Sequence, residues 1–285
     1  MGLSPRRSTH DGSTDGSKAA DENTTTTSDI FRRRNLVIAG VAVLVIVAAY
    51  CAWLVFQAQS VKSNLEQART LSQQSKDSLL HEDMSSASKL AGQAEQHAQD
   101  AKDTTHSVSW SVAAAVPWLG SPLKTGQQIS DVAAGLTSEV LKPAAQMGAT
   151  VAPGSLLAGG RVDVAKLRDE APELTKISAA ATRLDKDAQA IQNPHYVSAL
   201  DTARSQVQSQ TADIATLLKN TSIAANIGPA MLGADGPRSY FMAFQTNAEA
   251  RGTGGLLGGF GILRFNDGKP TVDDLGANSE LNKTF

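Results

Sequence analysis

Polar side chains capable of acid–base or ion-pair chemistry follow an apolar segment near residue 245. Gln245, Asn247, Glu249 and Arg251 alternate with small residues, so in an extended chain their side chains lie on one face. Glu249 and Arg251 can pair and hold a loop in place, or they can form an anionic-ligand or acid–base site with nearby charges. A structural ion pair is the commoner outcome, so no residue is assigned a catalytic role. The candidate polar cluster comprises Asp235, Arg238, Gln245, Asn247, Glu249 and Arg251.

The glycines and histidines of the chain predict no cofactor and no metal site. Gly252 and Gly254 are followed by Leu257 at the position where a dinucleotide-binding motif needs its third glycine. No Gly-Lys-Ser/Thr sequence of a P-loop is present either, so strand packing and backbone freedom are the default roles of these glycines. Metal-binding histidines on a helix are spaced three or four residues apart. That spacing is absent among His81, His97, His106 and His195.

Three short strands are predicted to position the polar cluster. The continuous apolar run at 239–245 predicts a buried strand, and a second strand is predicted at 262–265. Asn266-Asp267-Gly268-Lys269 predicts a hairpin turn, after which the return strand begins at Pro270. Three strands leave open edges and bury too little apolar surface to be stable alone. We therefore expect residues 229–285 to be the start of an α/β domain that is truncated here or pairs with something absent.

The region 57–228 predicts a helical bundle or a series of helical hairpins. Residues 57–103 carry an alanine-rich apolar stripe without proline, which is typical of one long helix or two helices in close packing. Residues 162–221 contain two apolar stripes joined by Asn193-Pro194, which predicts an antiparallel helical hairpin. Pro143 is expected to kink or end its helix. Helical structure is expected to stop after Ile227.

An uncharged run at 36–56 predicts a single transmembrane helix over residues 35–56. At about 1.5 Å per residue the run reaches roughly 32 Å, enough to cross a hydrocarbon core of about 30 Å. Arg32-Arg33-Arg34 precede it directly, whereas the first basic residue after it is Lys62. This asymmetry predicts a single-pass protein of the cell membrane with a cytoplasmic N-terminus and an extracytoplasmic C-terminal portion. A signal peptide cleaved near Ala58-Gln59-Ser60 is the competing interpretation, but its apolar core would be unusually long.

Composition narrows the remaining classes of function. The first 34 residues are rich in Ser, Thr, Asp and Gly, which predicts a disordered cytoplasmic tail. A single cysteine allows no internal disulfide. The net charge is −2 and aromatic residues make up 5% of the chain, so no nucleic-acid partner is expected. The lipid bilayer is the expected partner.

Three segments resemble the opening of domain-of-unknown-function family 4012, whose members are membrane-anchored and mostly actinobacterial envelope proteins. They are 232–240 (LGADGPRSY), 245–251 (QTNAEAR) and 253–258 (TGGLLG), within a signature that covers roughly 229–276. The typical family sequence has Asn, Leu and often Ala where this chain has Thr246, Ala250 and Gly252. The upstream anchor and the Trp-Leu-Gly-x-Pro element at 118–122 are similar to members of the family too.

The resemblance implies an α/β domain that continues past Phe285, but it supplies no established chemistry. Members tend to be linked with surface-polysaccharide systems, and their later domain is distantly similar to the LytR-CpsA-Psr glycopolymer transferases, by fold-level analogy. The leading interpretation is therefore an extracytoplasmic envelope protein that supports surface-polysaccharide assembly, with glycopolymers or their assembly proteins as partners. The alternative is an enzyme that transfers a lipid-linked glycopolymer phosphate, with Arg238, Glu249 and Arg251 in its site. A sensor is least favoured, because the predicted tail is too short for an output domain.

Overall fold

The chain is mainly helical and has a small three-stranded antiparallel sheet near its C-terminal end, which confirms the predicted fold class. A computed structural model describes residues 25–117, 120–151, 153–246 and 255–281. Contacts divide the chain into two compact units, Met1–Trp53 and Leu54–Phe285.

The described helices are α1 (Thr25–Leu80), α2 (Met84–Thr105), α3 (Val108–Ala114), α4 (Gly120–Gly135), a π-helix (Leu136–Leu141), α5 (Lys142–Val151), α6 (Pro153–Leu156), α7 (Val164–Gln189), α8 (Ser198–Met231) and α9 (Asn278–Leu281). The strands are β1 (Leu157–Ala158), β2 (Arg161–Val162), β3 (Arg238–Thr246), β4 (Leu256–Asn266) and β5 (Lys269–Ala277).

Helix α1 contains the predicted membrane span. Ile38, Leu44, Ile46 and Phe56 are all more than half exposed, and among the described residues α1 is the one helix long and apolar enough to cross a membrane. The helix begins at Thr25, so residues 25–34, which composition assigns to a disordered tail, are helical. Once an apolar run has nucleated a helix, each added residue costs little. Residues 1–24 lie outside the described part of the chain.

Helices α1 and α2 form an antiparallel pair, the second of the two arrangements that the alanine-rich stripe allows. Val61 packs with Ala101, and the Ser75 hydroxyl donates to the Ala87 carbonyl at 2.8 Å. The α2 face of this contact consists of small, fully buried side chains, which let two helix backbones approach closely. These are Ala87, Ala91, Ala94, Ala98 and Ala101.

Helices α7 and α8 form the antiparallel hairpin predicted around Asn193-Pro194. The hydroxyls of Thr175 and Ser222 lie 3.1 Å apart, and Gln208 donates to the Ala188 carbonyl at 3.1 Å. The opposed order of these contacts along the two helices confirms the hairpin. Its apolar stripes enter a core of buried side chains contributed by four helical segments, namely Val140, Met147, Ile177, Ala181, Leu184 and Ala215.

Neither proline ends its helix, so the ending expected at Pro143 as one of two alternatives and the stop expected after Ile227 are both wrong. At Pro143 the helix continues, because the preceding turn widens into the π-helix, in which the Lys142 amide donates to the Thr137 carbonyl. This wider turn accommodates a proline ring that would clash with the carbonyl four residues earlier. Helix α8 runs through Gly228-Pro229 to Met231. There α8 packs closely against α7, since a Cβ on Gly228 would lie only 3.3 Å from Leu167 Cδ2. This packing overrides the local turn signal.

One end of the Leu54–Phe285 unit, the α3 end, combines α3 with Gln57 and the α7–α8 connection at 190–197. The Ser109 hydroxyl donates to Gln57 Oε1 at 3.2 Å, and the Ser121 hydroxyl donates to the Asn193 carbonyl at 3.0 Å. The opposite end, the sheet end, holds the start of α7, the end of α8 and the three-stranded sheet. There Arg168 of α7 pairs with Asp235 at 2.7 Å, three residues before β3.

Replacing a fully buried core residue should destabilise the bundle far more than replacing an exposed one. Ile177 is 2% exposed in the main core, whereas Leu217 on the neighbouring helix α8 is 65% exposed. We expect Ile177→Ala to lower the free energy of unfolding by about 2–5 kcal/mol. Leu217→Ala should change it by less than about 0.5 kcal/mol. Denaturant titration of the full chain in detergent measures both, and equal effects would contradict this core assignment.

Candidate functional site

The sheet at the sheet end contains the segment that carries the candidate polar cluster. Its order is β3-β4-β5, with both pairs antiparallel. Asn266 pairs with Lys269, and between them Asp267 and Gly268 have φ angles of 48° and 78°. Two successive positive φ values are the mark of a type I′ turn. The predicted hairpin at 266–269 is therefore confirmed.

This hairpin turn is bonded to the helical bundle through its backbone. The Gly268 amide donates to the Leu232 carbonyl at 2.8 Å, and its carbonyl accepts from the Val162 amide at 2.9 Å. The Asp267 amide donates to the Gly233 carbonyl at 3.2 Å. A Cβ on Gly268 would lie 1.9 Å from the Val162 carbonyl oxygen. Only glycine fits both the backbone conformation and the close approach.

Ion pairs flank the turn and include one predicted site residue. Arg161 pairs with Asp267, and Arg168 pairs with Asp235 at 2.7 Å. All four side chains are about half exposed, so each pair contributes at most about 1 kcal/mol. Asp235 thus has a structural partner that lies far away in sequence.

The structure places two described members of the polar cluster, Arg238 and Gln245, far apart on β3. Arg238 donates from Nε to the Ala230 carbonyl at 3.3 Å, at the bundle end of β3. Gln245 lies seven positions further along that strand, about 23 Å away at about 3.3 Å per residue. Asn247, Glu249 and Arg251 lie outside the described residues, so their predicted site stays a prediction.

The expectation that 239–245 forms a buried strand is wrong. Strand β3 is present, but Phe241 and Phe244 are about half exposed. The hydrogen bonds between sheet and bundle lie at the hairpin turn and at the start of β3, where Tyr240 donates to the Met231 carbonyl at 2.8 Å. These hydrogen bonds hold the sheet at one end of its strands. Among the described residues, Phe241 and Phe244 on the two faces of the sheet stay partly exposed.

Both faces of the sheet carry apolar side chains. On one face Phe241 stacks on Phe260, with ring centroids 5.8 Å apart. On the other face Met242, Phe244 and Leu275 surround Gly261, whose added Cβ would lie between 3.0 and 3.6 Å from them. This surface suits contact with another apolar protein surface rather than proton transfer.

The two edges of the sheet differ in how well they resist pairing. Edge strand β5 contains Lys269, Pro270 and Asp273 and is kinked at Asp274, which has a φ of 52°. Charges, proline and irregular backbone are the features that blunt an edge. Edge strand β3 contains no proline and no charge beyond Arg238 at its first position, and its one irregularity is a register shift against β4 between Phe244 and Gln245, near its far end. We infer that β3 is the edge open to a further strand.

A second concentration of charge, in the cleft between α2, α4, the π-helix and α7, is an ion-pair network. Arg183 bonds to Glu139 and lies 3.5 Å from Asp187, while Lys102 lies 3.4 Å from Asp131. The hydrogen bond that Arg183 donates to the Glu139 carboxylate raises the pKa of Arg183, which keeps the guanidinium charged. The described residues contain no group of three or more potential metal ligands.

A family model matches the C-terminal part of the chain. Residues 235–285 match the model of the family described as "Protein of unknown function (DUF4012)", in agreement with the resemblance seen in the sequence. The matched segment includes all three strands of the sheet. No curated protein and no solved structure matches the chain.

Gly268 should be far less replaceable than another glycine with the same backbone conformation. Gly160 has a φ of 77° against 78° for Gly268, but a Cβ on Gly160 meets nothing within 4 Å. Gly160→Ala should therefore cost only the strain of the left-handed conformation, about 1–2 kcal/mol. Gly268→Ala carries the same strain plus the clash with Val162.

Limited proteolysis and denaturant titration of the full chain measure this difference. We expect Gly268→Ala to expose the sheet to cleavage and Gly160→Ala to leave its protection intact. Equal loss of stability in the two variants, with equal cleavage, would mean that the turn does not hold the sheet.

Proposed function

We propose that this chain is a single-pass membrane protein that supports assembly of surface polysaccharide by binding an assembly protein at the β3 edge. The observation that carries the proposal is the open, apolar β3 edge within the segment matched by the DUF4012 model. The polysaccharide role rests on the family resemblance, and the anchor rests on the exposed apolar helix α1.

The side chains of α1 support anchoring. Exposed valine, leucine and isoleucine side chains cover the helix between Ile38 and Val47. Exposure of this apolar surface to water costs free energy, whereas contact with lipid does not. Arg32, Arg33 and Arg34 precede this segment, which favours a cytoplasmic N-terminus and an extracytoplasmic bundle and sheet.

The chemistry of the sheet favours a protein partner over a direct glycopolymer ligand. Sugar hydroxyls need closely placed polar partners, because an unpaired polar group loses its hydrogen bonds to water. The exposed side chains of β3 around its centre are Phe241, Ala243 and Phe244. An extended protein segment instead satisfies the free backbone groups of an edge strand by pairing with them.

The geometry supports this role better than the transferase alternative. A transferase site requires Arg238 beside Glu249 and Arg251. Arg238 already donates to the Ala230 carbonyl at the bundle end of β3, so one of these three residues has a structural partner in the helical bundle.

A charge on the β3 edge should abolish function, while the same charge on the β5 edge should not. Phe244 is 49% exposed on β3 and Val272 is 51% exposed on β5. In a strain lacking the gene we expect reduced surface polysaccharide, which the wild-type chain and Val272→Lys restore. Phe244→Lys should fail to restore it, because a lysine on an edge strand blocks pairing.

Immunoblots of the membrane fraction check that both variants accumulate to the same level. An unchanged amount of surface polysaccharide in the deletion strain would contradict the proposed role. Full restoration by Phe244→Lys would leave the role standing and reject the β3 edge as its site.

The proposed orientation predicts opposite behaviour for reporters at the two ends of the chain. A phosphatase that folds only after export should be active when joined after Phe285 and inactive when joined before Met1. The reverse pattern of phosphatase activity would overturn the orientation. Resistance of the chain to alkaline extraction from membranes separately measures anchoring.

A further inference from the structure

The α3 end carries an exposed apolar patch that the proposed function does not use. Val108 is 81% exposed and Val112 is 58% exposed on α3, and Tyr196 of the α7–α8 connection is 61% exposed. Val116 and Val197 extend the patch and are more than a third exposed. Large exposed apolar patches mark interaction surfaces.

Helix α3 carries apolar side chains on its outer face as well as on its inner face. Its inner face buries Trp110, Ala113 and Ala114, and the indole nitrogen of Trp110 donates to the Leu123 carbonyl at 3.1 Å. Its outer face presents Val108 and Val112, one helical turn apart. A helix between core and water normally places charged or polar side chains on the outer face.

Charge is absent from the sequence around the whole patch. Residues 107–123 contain no Asp, Glu, Lys or Arg, and neither do residues 188–200. Both segments lie at the α3 end, where the Thr125 hydroxyl donates to the Gln192 carbonyl at 2.9 Å. Two stretches distant in sequence thus lie at the same end of the bundle without a charged side chain, whereas a surface exposed only to water normally carries charges.

The patch lies beside the point where the apolar run of α1 ends. Ser109, on α3, bonds to Gln57, and Gln57 directly follows Val55 and Phe56, which are exposed. If residues 36–56 cross the bilayer, then α3 is located at the depth where α1 leaves the hydrocarbon. Helices with one apolar face bind at that depth, with the face inserted at the boundary of headgroups and acyl chains.

We propose that the α3 end is a membrane-surface contact, with Val108, Val112, Val116, Tyr196 and Val197 inserted into the lipid interface. This inference rests on the anchoring part of the proposed function. Valine side chains enter the acyl boundary, and tyrosine is a residue enriched at membrane interfaces. The bundle then stands on the bilayer at a fixed orientation, instead of swinging about a single helix.

Depth-dependent fluorescence quenching of the full chain in vesicles tests the contact. Cys51→Ala removes the natural thiol, after which Val112→Cys or Tyr196→Cys accepts a polarity-sensitive fluorophore. Leu157→Cys is the matched control, because Leu157 is 57% exposed but lies in β1, which precedes α7 at the opposite end of the bundle. The vesicles contain phosphatidylcholine, phosphatidylglycerol and lipids spin-labelled near the headgroup.

We expect quenching at positions 112 and 196 to exceed that at 157 several-fold, with blue-shifted emission at the first two positions alone. Equal quenching at all three positions, in chains that float with the vesicles, would overturn the contact and leave the anchor intact. Chains that do not float would overturn anchoring and this inference together. A disulfide between two Val112→Cys chains in detergent, with no quenching in vesicles, would assign the patch to a second copy and reject the lipid contact.

Discussion

The placement of the sheet depends on the backbone of Gly268. Its amide and carbonyl bond to Leu232 after α8 and to Val162 before α7, so a single turn residue joins the free ends of the helical hairpin to the β-hairpin. Backbone hydrogen bonds are directional and do not depend on the identity of side chains. The flanking ion pairs are half exposed and add little energy, so they refine the geometry that the turn imposes.

The helical bundle separates two ends with different chemistry. Helix α8 has 34 residues, and at about 1.5 Å per residue it spans roughly 51 Å between the α3 end and the sheet end. Its packing with α7 is held by apolar stripes and by hydroxyl contacts such as Thr175 with Ser222. One end exposes apolar side chains from segments without charge, while the other holds the sheet and the Arg161–Asp267 and Arg168–Asp235 ion pairs. A spacer with these two ends suits a protein that presents a binding edge away from a membrane.

Local signals predicted the elements whose causes are local. Asn193-Pro194 marks the turn of the α7–α8 hairpin, and the residue pair Asp267-Gly268 marks the β-turn, because both depend on the φ preferences of a few adjacent residues. The helix continues past Pro143 because a π-helical turn accommodates the proline ring, and past Gly228-Pro229 because α8 packs against α7. The polar cluster was less predictable still. Asp235, in the turn after α8, pairs with Arg168 of α7, and no spacing pattern near Asp235 predicts that partner.

The amino-acid sequence alone determined the uncharged run at 36–56, the helical hairpin, the β-turn and the resemblance to one family. Each follows from composition or from periodicity along the chain, which decides which side chains share a face. Only the tertiary structure decided what covers those faces. It buried Trp110 while leaving Val108 and Val112 outside, exposed a β3 strand whose apolar run is typical of a buried one, and made Gly268 irreplaceable through Val162. A pattern specifies an apolar face, but its burial depends on segments that lie far away in sequence.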